Sequence, residues 1–433
     1  MARRPVAAIL TLGCKLNLAD SEEIARALRA AGYDVVDRMC EADAFVVNSC
    51  SVTHVADQKS RRLVRAVRRL APGAAVAVTG CFPQSAGFDA ARALGADLVA
   101  GTAEKDREAL AAFLAERAGT AAASNGERPV APDRGGMRTR AFIRAQSGCN
   151  DVCAFCIVPR TRGREESRSI DAVVAEVQGA TEGGVQEVVI TGTQLGAWGR
   201  DFDPPLAPRH LIAAILERTD VPRLRFSSLQ PQDISAELLS LWSDPRLMPH
   251  FHLALQSGSD ATLQRMRRRY GAREYAAAAE LIRRAAPDAA ITTDVIAGFP
   301  GESEEEFETT LRLCREAGFA RMHCFPYSAR SRTAAARMPG QVPPEVRKER
   351  VQQLMTLGDE LSRGFRTRFQ GTVRPVLWEQ ERETPEGRYW FGHTDNYIGV
   401  HARGGMLRNR VTLALLGALY HDGVVATLPG GFE

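Results

Sequence analysis

Long hydrophobic runs are absent from this sequence. Nowhere do its 433 residues contain the roughly 18 consecutive apolar residues that a membrane-spanning helix needs. A secretion signal is also missing, because Met-Ala-Arg-Arg-Pro leads directly into a strand-like run. We therefore expect a cytoplasmic protein without a membrane partner. The length and the 45% hydrophobic content predict two or three packed domains, since a single core stops growing at roughly 250 to 300 residues.

Strong net charge is absent too. The formal charge is +4 and the pI about 8.6, so overall charge neither requires nor excludes a polyanionic partner such as RNA. The segment 59–69 carries six positive charges in eleven residues and predicts a basic helix that either contacts phosphates or simply faces solvent. A second basic stretch, which we expect to contact the substrate or a cofactor carboxylate, consists of Arg160, Arg162, Arg164 and Arg168.

The nine cysteines do not suggest disulfides, because the cytosol keeps thiols reduced. Metal binding or catalysis is the better interpretation. Cys40, Cys314 and Cys324 have no local partner pattern and are interpreted as small buried hydrophobic residues. The other six cysteines form two groups of three.

Three segments of different pattern predict a multidomain α/β protein. Residues 1–118 alternate β-rich runs at 6–12, 44–48 and 75–79 with helical patterns at 21–31 and 57–70, which is typical of an open parallel sheet covered by helices. Residues 119–137 are rich in Gly, Pro and Ala and predict a linker.

Residues 138–370 and 371–433 predict two further domains. Strand-like runs at 141–145, 187–191, 223–227, 250–255, 290–297 and 321–325 predict a partial (β/α)6 barrel with its active site at the strand carboxyl ends. Five short runs in 371–433 predict a small antiparallel β-barrel, similar to those that bind oligonucleotides.

The first cysteine group lies on one short loop after the first predicted barrel strand. Cys149, Cys153 and Cys156 could hold three irons of a 4Fe-4S cluster and leave the fourth iron without a protein ligand. A zinc site would normally add a fourth Cys or His, and the nearest downstream histidine is His210. The pattern therefore favours an iron-sulfur cluster over zinc.

This loop resembles that of the radical S-adenosylmethionine (SAM) superfamily, whose CxxxCxxC motif it reproduces with an aromatic residue before the last cysteine. The resemblance implies that the open iron chelates SAM and that electron transfer from the cluster yields a 5′-deoxyadenosyl radical. Around it, residues at the predicted strand ends are candidates for cofactor binding, the alternative being tight turns between strand and helix. The candidates are Phe155, Gly192, Thr193, Ser228, Gln256 and Asp294.

The second cysteine group is scattered. Cys14, Cys50 and Cys81 each come directly after a strand-like run, reading ILTLGC, FVVNSC and VAVTGC. Ligands of open parallel sheets bind outside the carboxyl ends of the strands, so these thiols are expected to converge and to hold a second three-cysteine cluster. A purely structural role for all three is the alternative.

The whole chain resembles the methylthiotransferases, which join a domain with three scattered cysteines to a radical SAM barrel and a C-terminal barrel of the TRAM type. The resemblance implies a tRNA substrate, two 4Fe-4S clusters, and SAM as both radical source and methyl donor. It also implies an external electron donor and a sulfur donor. All six cluster cysteines are then catalytic as well as metal ligands.

The motifs TLGCKLN and NSCSVTHVAD look most like the branch that modifies N6-threonylcarbamoyladenosine beside the anticodon, although His54 and Ser49 depart from its usual residues. The isopentenyl branch usually reads YGCQMN at the first site, and the branch acting on a ribosomal-protein aspartate reads TLGCPKN. Both branches remain alternatives. A non-enzymatic iron-sulfur protein that binds RNA is an alternative of another class.

Overall fold

The structure is a computed structural model, and it describes residues 4–121, 139–226 and 228–428. No helix within these ranges is long and apolar enough to cross a membrane. Most of the predicted linker lies outside the described residues, and so does Ser227. The preceding helix continues to Ala121, which is inside the segment assigned to the linker.

The N-terminal domain alternates strands with helices, as predicted. Its elements are β1 Val6–Thr11, α1 Lys15–Ala30, β2 Asp34–Val36, β3 Ala44–Ser49, α2 His54–Leu70, β4 Ala75–Gly80, α3 Cys81–Ala86, α4 Phe88–Arg92, β5 Leu98–Val99 and α5 Glu104–Ala121. The strands form one five-stranded parallel sheet in the order β2-β1-β3-β4-β5. Because every residue of β3 and β4 is buried, these central strands read as continuous apolar runs.

Helix α1 begins six residues before the predicted start at residue 21, with Lys15 as its first residue. The sequence hides this start because Cys14 occupies the N-cap without a side-chain cap, and because the first turn contains no acidic residue. Helix α1 packs against the central domain. There the backbone N–H of Phe142 donates to the Glu22 carboxylate at 2.9 Å, and Arg144 pairs with Glu23 at 3.1 Å.

The central domain contains the six predicted parallel strands and one additional short hairpin. Its elements are β6 Arg140–Arg144, β7 Gln146–Ser147, α6 Val158–Thr161, β8 Glu166–Ser167, α7 Ile170–Glu182, β9 Glu187–Thr191, α8 Pro208–Arg218, β10 Arg223–Phe226, α9 Ala236–Leu239, β11 His250–His252, α10 Asp260–Arg265, α11 Ala272–Ala285, β12 Ala290–Ala297, α12 Glu304–Ala317, β13 Arg321–Pro326 and α13 Pro344–Thr367. Strands β7 and β8 pair antiparallel beside the cysteine loop.

The six parallel strands do not form one continuous sheet. They divide into three-stranded sheets of order β10-β9-β6 and β11-β12-β13. Between β10 and β11 only isolated bridges remain, such as Leu229 to Leu253. The predicted strand at 250–255 ends at His252 in the structure, since the chain beyond it pairs only through such bridges.

The C-terminal domain is a closed five-stranded barrel in the order β14-β15-β16-β18-β17. Its strands are β14 Val373–Thr384, β15 Gly387–Thr394, β16 Gly399–Ala402, β17 Val411–Tyr420 and β18 Gly423–Thr427. The barrel is not wholly antiparallel as predicted, because β16 and β18 pair in parallel.

A buried ion network joins this barrel to the central domain. Glu187 lies 2.9 Å from Arg223 and 2.8 Å from Arg225, and Arg140 is 3.7 Å away. The same arginines reach across the interface: Arg223 and Arg225 each donate to the carbonyl of Thr394 at 2.9 Å. Burial alone would raise the pKa of Glu187, but the surrounding guanidinium groups hold it far below its usual range.

Candidate active site

The loop carrying Cys149, Cys153 and Cys156 is held on both sides. Gly148 precedes it with φ of +72°, and a Cβ there would lie 1.8 Å from the carbonyl oxygen of Arg164, so only glycine fits. Ala154, in the middle of the loop, donates its N–H to Met266 at 2.9 Å and accepts from Ala335 at 2.8 Å. The loop is therefore fixed by backbone contacts from two separate segments of the central domain.

Each thiol of this loop has a polar neighbour. The Cys149 thiol donates to the amide oxygen of Gln194 at 3.1 Å, Arg268 donates to Cys153 at 3.3 Å, and the N–H of Val158 donates to Cys156 at 3.4 Å. Burial raises the pKa of Cys149 to about 12 and that of Cys156 to about 11. Thiols in such surroundings become thiolates when a metal centre supplies the compensating positive charge.

Phe155 and Gly192 are positioned by packing. Phe155 meets Phe299 edge to face, with ring centroids 6.3 Å apart. Gly192 follows β9, and a Cβ there would lie 2.9 Å from Leu195 and 3.0 Å from the amide oxygen of Gln146. Both residues therefore form part of the wall around the cysteine loop, whether or not they also contact a ligand.

Polar atoms without partners lie next to this wall. Within the described residues, the buried hydroxyl of Thr193 and the buried amide nitrogen of Gln194 have no hydrogen-bond partner. Buried polar groups are normally satisfied, so two orphaned groups on successive residues, one of them the side chain that accepts from Cys149, fit the binding of a polar cofactor. Neither an apolar filler nor a closed metal site would use them.

Ser228 and Gln256 lie beyond the ends of β10 and β11, whereas Asp294, also predicted at a strand end, lies inside β12. Ser228 and Gln256 both have the left-handed backbone conformation, with φ of 76° and 66°. Gln256 donates its N–H to the carbonyl of Asp294 at 2.8 Å. The carboxylate of Asp294 lies 3.3 Å from His252 Nε2. Two left-handed conformations beyond successive strands are typical of a ligand site.

The second cysteine group lies at one edge of the N-terminal sheet. Cys14, Cys50 and Cys81 directly follow or lie close beyond the carboxyl ends of β1, β3 and β4, which are neighbours in the sheet. Gly13 lies so close that a Cβ on it would be 2.9 Å from Cys50 Cβ and 3.1 Å from its Sγ. Cys50 and Cys81 are buried and Cys14 is exposed, and burial raises the pKa of Cys50 to about 11.

The three thiols of the N-terminal domain, with Gly13 beside them, fit a bound iron-sulfur cluster. No three His, Cys, Asp or Glu side chains of the described residues are grouped as ligands of a single metal ion. A cubane cluster makes a different demand, since each of its three thiolates binds a different iron and the sulfurs stand apart. The donor set is all sulfur in both groups, as such clusters require.

Two of the four arginines in the second basic stretch pair with groups of the protein itself. Arg162 donates to Asn17 and Asp20 of α1, both at 2.9 Å, and its positive charge opposes the rise that burial causes in the pKa of the Cys81 thiol. Arg168 pairs with Glu176. These two arginines therefore pair with protein carboxylates, while for the exposed Arg160 and Arg164 a contact with substrate or cofactor stays a prediction.

A second arginine also joins the two cysteine groups. Arg330, in the segment after β13, donates to Asp57 at 2.6 Å, to Ser51 at 2.8 Å and to Ser85 at 3.2 Å. Ser51 directly follows Cys50. Arg162 and Arg330 thus hold the loops of the two groups in a fixed relation.

Four residues of this site were missed at the level of sequence. Gln194 directly follows the Thr191-Gly192-Thr193 segment, so its position offered a signal. Arg268 and Arg330 lie outside every recognised metal-binding pattern, and only the fold brings them to the cysteine loops. Lys15 directly follows Cys14 within the TLGCKLN motif, but its proximity to the central domain depends on the fold. Burial lowers the pKa of Lys15 to about 8, and Arg225 and Arg140 add to this shift.

Comparison with known proteins shows which families the chain is similar to. Residues 6–101 match the family described as "Uncharacterized protein family UPF0004", and residues 143–314 match the radical SAM superfamily. The chain is 35% identical to the threonylcarbamoyladenosine tRNA methylthiotransferase MtaB of Bacillus subtilis, across 91% of this chain and 89% of that protein. It is 39% identical to a tRNA-2-methylthio-N(6)-dimethylallyladenosine synthase of Acidothermus cellulolyticus, across 82% of this chain and 73% of that one.

A solved structure shares the fold. The radical SAM methyltransferase TsrM of Kitasatospora setae, determined with cobalamin and a 4Fe-4S cluster, superposes with a TM-score of 0.54 over 75% of each chain, at 14% identity. At this identity the likeness concerns the fold alone.

Proposed function

Because this chain belongs to the radical SAM tRNA methylthiotransferase family, we propose that it adds a methylthio group at C2 of N6-threonylcarbamoyladenosine beside the anticodon. The reaction would use two 4Fe-4S clusters, with SAM as radical source and methyl donor. The observation that supports this best is the pair of cysteine groups, each at strand ends, joined by Arg162 and Arg330. The threonylcarbamoyl branch rests on the TLGCKLN and NSCSVTHVAD motifs.

The proposed roles follow from the contacts. Cys149, Cys153 and Cys156 would hold the cluster that supplies an electron to cleave SAM. Gln194 and Thr193 would offer their unpartnered polar atoms to the bound SAM, and the backbone turn at Gln256 would leave that space open. Arg268 donates to the Cys153 sulfur at 3.3 Å and so holds that ligand in position.

The N-terminal group would hold the second cluster, which carries the sulfur to be inserted. Burial raises the pKa of Cys81, and the Arg162 guanidinium opposes this rise and so favours the thiolate form of that ligand. An external electron donor and a sulfur donor complete the proposed reaction, because each turnover consumes both. The C-terminal barrel, which contacts the base of the central domain through Arg223 and Arg225, would bind the tRNA.

The substrate is tested by offering purified, reconstituted enzyme two anticodon stem-loops. One carries threonylcarbamoyl and the other isopentenyl on N6 of the adenosine 3′ of the anticodon. We expect the 2-methylthio nucleoside, measured by mass spectrometry, only from the first. Product only from the second would place the chain with the dimethylallyladenosine synthases, to which it is also similar. Product only from a ribosomal protein would assign it to the third branch.

The outer face of α2 is a candidate phosphate-binding surface. Lys59, Arg62, Arg65 and Arg69 are exposed along this helix, whereas Arg68 turns inward and donates to the carbonyl of Gly95 at 2.8 Å. Replacing Arg62, Arg65 and Arg69 with alanine should reduce the salt dependence of tRNA binding. The log-log slope should fall by up to about 0.7 to 0.9 for each phosphate that the variant no longer neutralises. Binding isotherms at several salt concentrations give this slope.

A triple variant of equal charge change provides the control. Arg273, Arg284 and Arg312 are exposed on α11 and α12 of the central domain, and their replacement with alanine should leave the slope unchanged. An equal change in both triple variants would mean that only net charge matters. An unchanged slope in the α2 variant would mean that this helix simply faces solvent and does not contact phosphates.

A further inference from the structure

The cysteine loop of the central domain exposes an apolar side chain to solvent. Val152 stands directly before Cys153 in the sequence, and it is 71% exposed. A single exposed apolar residue is ordinary on a protein surface, so its position is what matters. Here the exposed side chain is the direct neighbour of a proposed cluster ligand.

A turn of three consecutive arginines, residues 267–269, packs along this loop. Arg268 donates to the Cys153 thiol at 3.3 Å, and Arg269 donates to the Asp151 carboxylate at 3.2 Å. These contacts lie on either side of Val152 in the sequence of the loop. The arginine turn therefore lies beside the exposed valine.

Arg267 is the member of this turn whose charge is free. Its φ of 59° is left-handed, at the residue after the end of α10 where glycine is usual. The N–H of Arg267 donates to the carbonyl of Gln264, and that of Arg268 to the carbonyl of Leu263, both at 2.9 Å. Its side chain is exposed, and the described residues offer its guanidinium no hydrogen bond or ion pair.

A third segment brings another cation to the same loop. The N–H of Ala335 donates to the carbonyl of Ala154 at 2.8 Å, and Arg337, two residues further on, is exposed. Its guanidinium also has no partner in the part of the chain that the structure describes. The acidic side chain of the loop, Asp151, is already paired with Arg269. The loop therefore shows solvent an excess of positive charge.

Val152, Arg267 and Arg337 are called the cysteine-loop surface below, and their chemistry fits an acidic protein better than a nucleic acid. Contacts to phosphates come from charged and polar donors, so an exposed valine contributes nothing to them. Protein interfaces combine apolar side chains with arginine, and transient electron-transfer contacts are small enough to need few residues. Opposite charge on the two partners chiefly speeds their encounter.

We propose that the cysteine-loop surface is the docking site of the external electron donor, and that this donor is a small acidic ferredoxin. The inference rests on the proposed cluster of Cys149, Cys153 and Cys156, but not on which nucleoside is modified. In the docked pair the ferredoxin is oxidised by one electron and the cluster of the enzyme is reduced by one, with no bond made or broken between them. Reductive cleavage of a sulfonium needs a strong reductant, and ferredoxins lie among the low-potential carriers.

The test measures binding and reduction separately, with an acidic plant-type 2Fe-2S ferredoxin as the probe. Isothermal titration calorimetry on the reconstituted full chain gives the dissociation constant at several salt concentrations. The rate of 5′-deoxyadenosine formation is measured with limiting reduced ferredoxin and, separately, with reduced methyl viologen. Methyl viologen is a small cation, so a positively charged docking surface does not assist it.

The double variant Arg267→Glu, Arg337→Glu should bind ferredoxin roughly tenfold more weakly at low salt, because like charges then face each other. The rate with limiting ferredoxin should fall in proportion, while the rate with methyl viologen stays at the wild-type value. Arg267→Gly removes one charge and suits the left-handed backbone, so it should fold and weaken binding by roughly two- to fivefold.

A double variant of equal charge change provides the control. Arg312 and Arg363 are exposed on α12 and α13, and replacing both with glutamate should leave ferredoxin binding near the wild-type value. Iron content verifies that every variant carries its clusters. The dissociation constant of the anticodon stem-loop is measured for each variant in parallel.

The outcomes separate this inference from the proposed function. Unchanged ferredoxin binding in the Arg267 and Arg337 variants, or equal weakening in the control, would overturn the docking site. Weaker stem-loop binding with unchanged ferredoxin binding would assign the surface to RNA and overturn it as well. If wild-type enzyme with full iron content formed no 5′-deoxyadenosine even with methyl viologen, the proposed function itself would be wrong.

Discussion

Replacing Cys50 with alanine is expected to abolish formation of the methylthio product while the enzyme still releases 5′-deoxyadenosine from SAM. Cys50 follows β3 in the N-terminal domain, whereas the proposed radical cluster uses three cysteines on one loop of the central domain. Under the proposed roles, radical generation needs only that loop, whereas sulfur insertion needs both groups. Mass spectrometry of the nucleoside products and of 5′-deoxyadenosine measures the two steps separately.

Iron analysis adds an independent readout of the same division. The reconstituted wild-type chain should bind roughly eight irons, and a triple alanine variant of either cysteine group should bind roughly four. Cys40→Ala is the matched control, because Cys40 is a half-buried cysteine that packs against the core of the N-terminal domain. We expect it to retain both products and all the iron.

Two results would contradict this division. If the triple variant of Cys14, Cys50 and Cys81 kept the full iron content, these cysteines would not hold a second cluster. Loss of 5′-deoxyadenosine in a folded Cys50→Ala protein that keeps its radical cluster would mean that the two steps are not separable. In that case the link between the two groups would be Arg330, which donates to Ser51 beside Cys50.

The sequence predicted those parts of the fold that depend on local pattern. The strands β1, β3 and β4 were found within two residues of their predicted ends because buried parallel strands form continuous apolar runs. The convergence of Cys14, Cys50 and Cys81 on one sheet edge followed from the same runs, since parallel strands end on the same side.

Contacts between distant segments could not be predicted in this way. Arg162 stands in a basic stretch that suggested a ligand contact, yet it binds Asp20 and Asn17 on α1. Only the packing of α1 against β6 brings those residues near it. The sequence also could not predict that the sheet is interrupted between β10 and β11. The segment 250–255 is largely buried, and burial produces the same sequence pattern whether or not the backbone forms a continuous ladder of hydrogen bonds.

The buried ion network at the base of the central domain provides the stability prediction with the largest expected effect. Glu187→Gln should lower the free energy of unfolding by about 3 to 5 kcal/mol, because it leaves guanidinium groups buried without their carboxylate. Arg223 and Arg225 also donate to Thr394, so the loss should loosen the C-terminal barrel. Urea unfolding and hydrogen exchange of the peptide amides in β15 measure both effects.

Asp171→Asn is the matched control, since it removes a carboxylate that pairs with Arg218 at 2.8 Å but is 84% exposed. Exposed pairs contribute only about 0 to 1 kcal/mol, so the stability of this variant should remain near that of wild type.

The stabilisation by Glu187 should depend on pH in a defined direction. Because the folded pKa of Glu187 lies far below its unfolded value of about 4.3, its stabilising contribution is complete above that pH and is lost as the pH falls below it. The difference between wild type and Glu187→Gln should therefore be constant from about pH 6 to 8 and shrink below about pH 4. A constant difference down to pH 3, or a cost no larger than that of Asp171→Asn, would show that the carboxylate charge does not hold the two domains together.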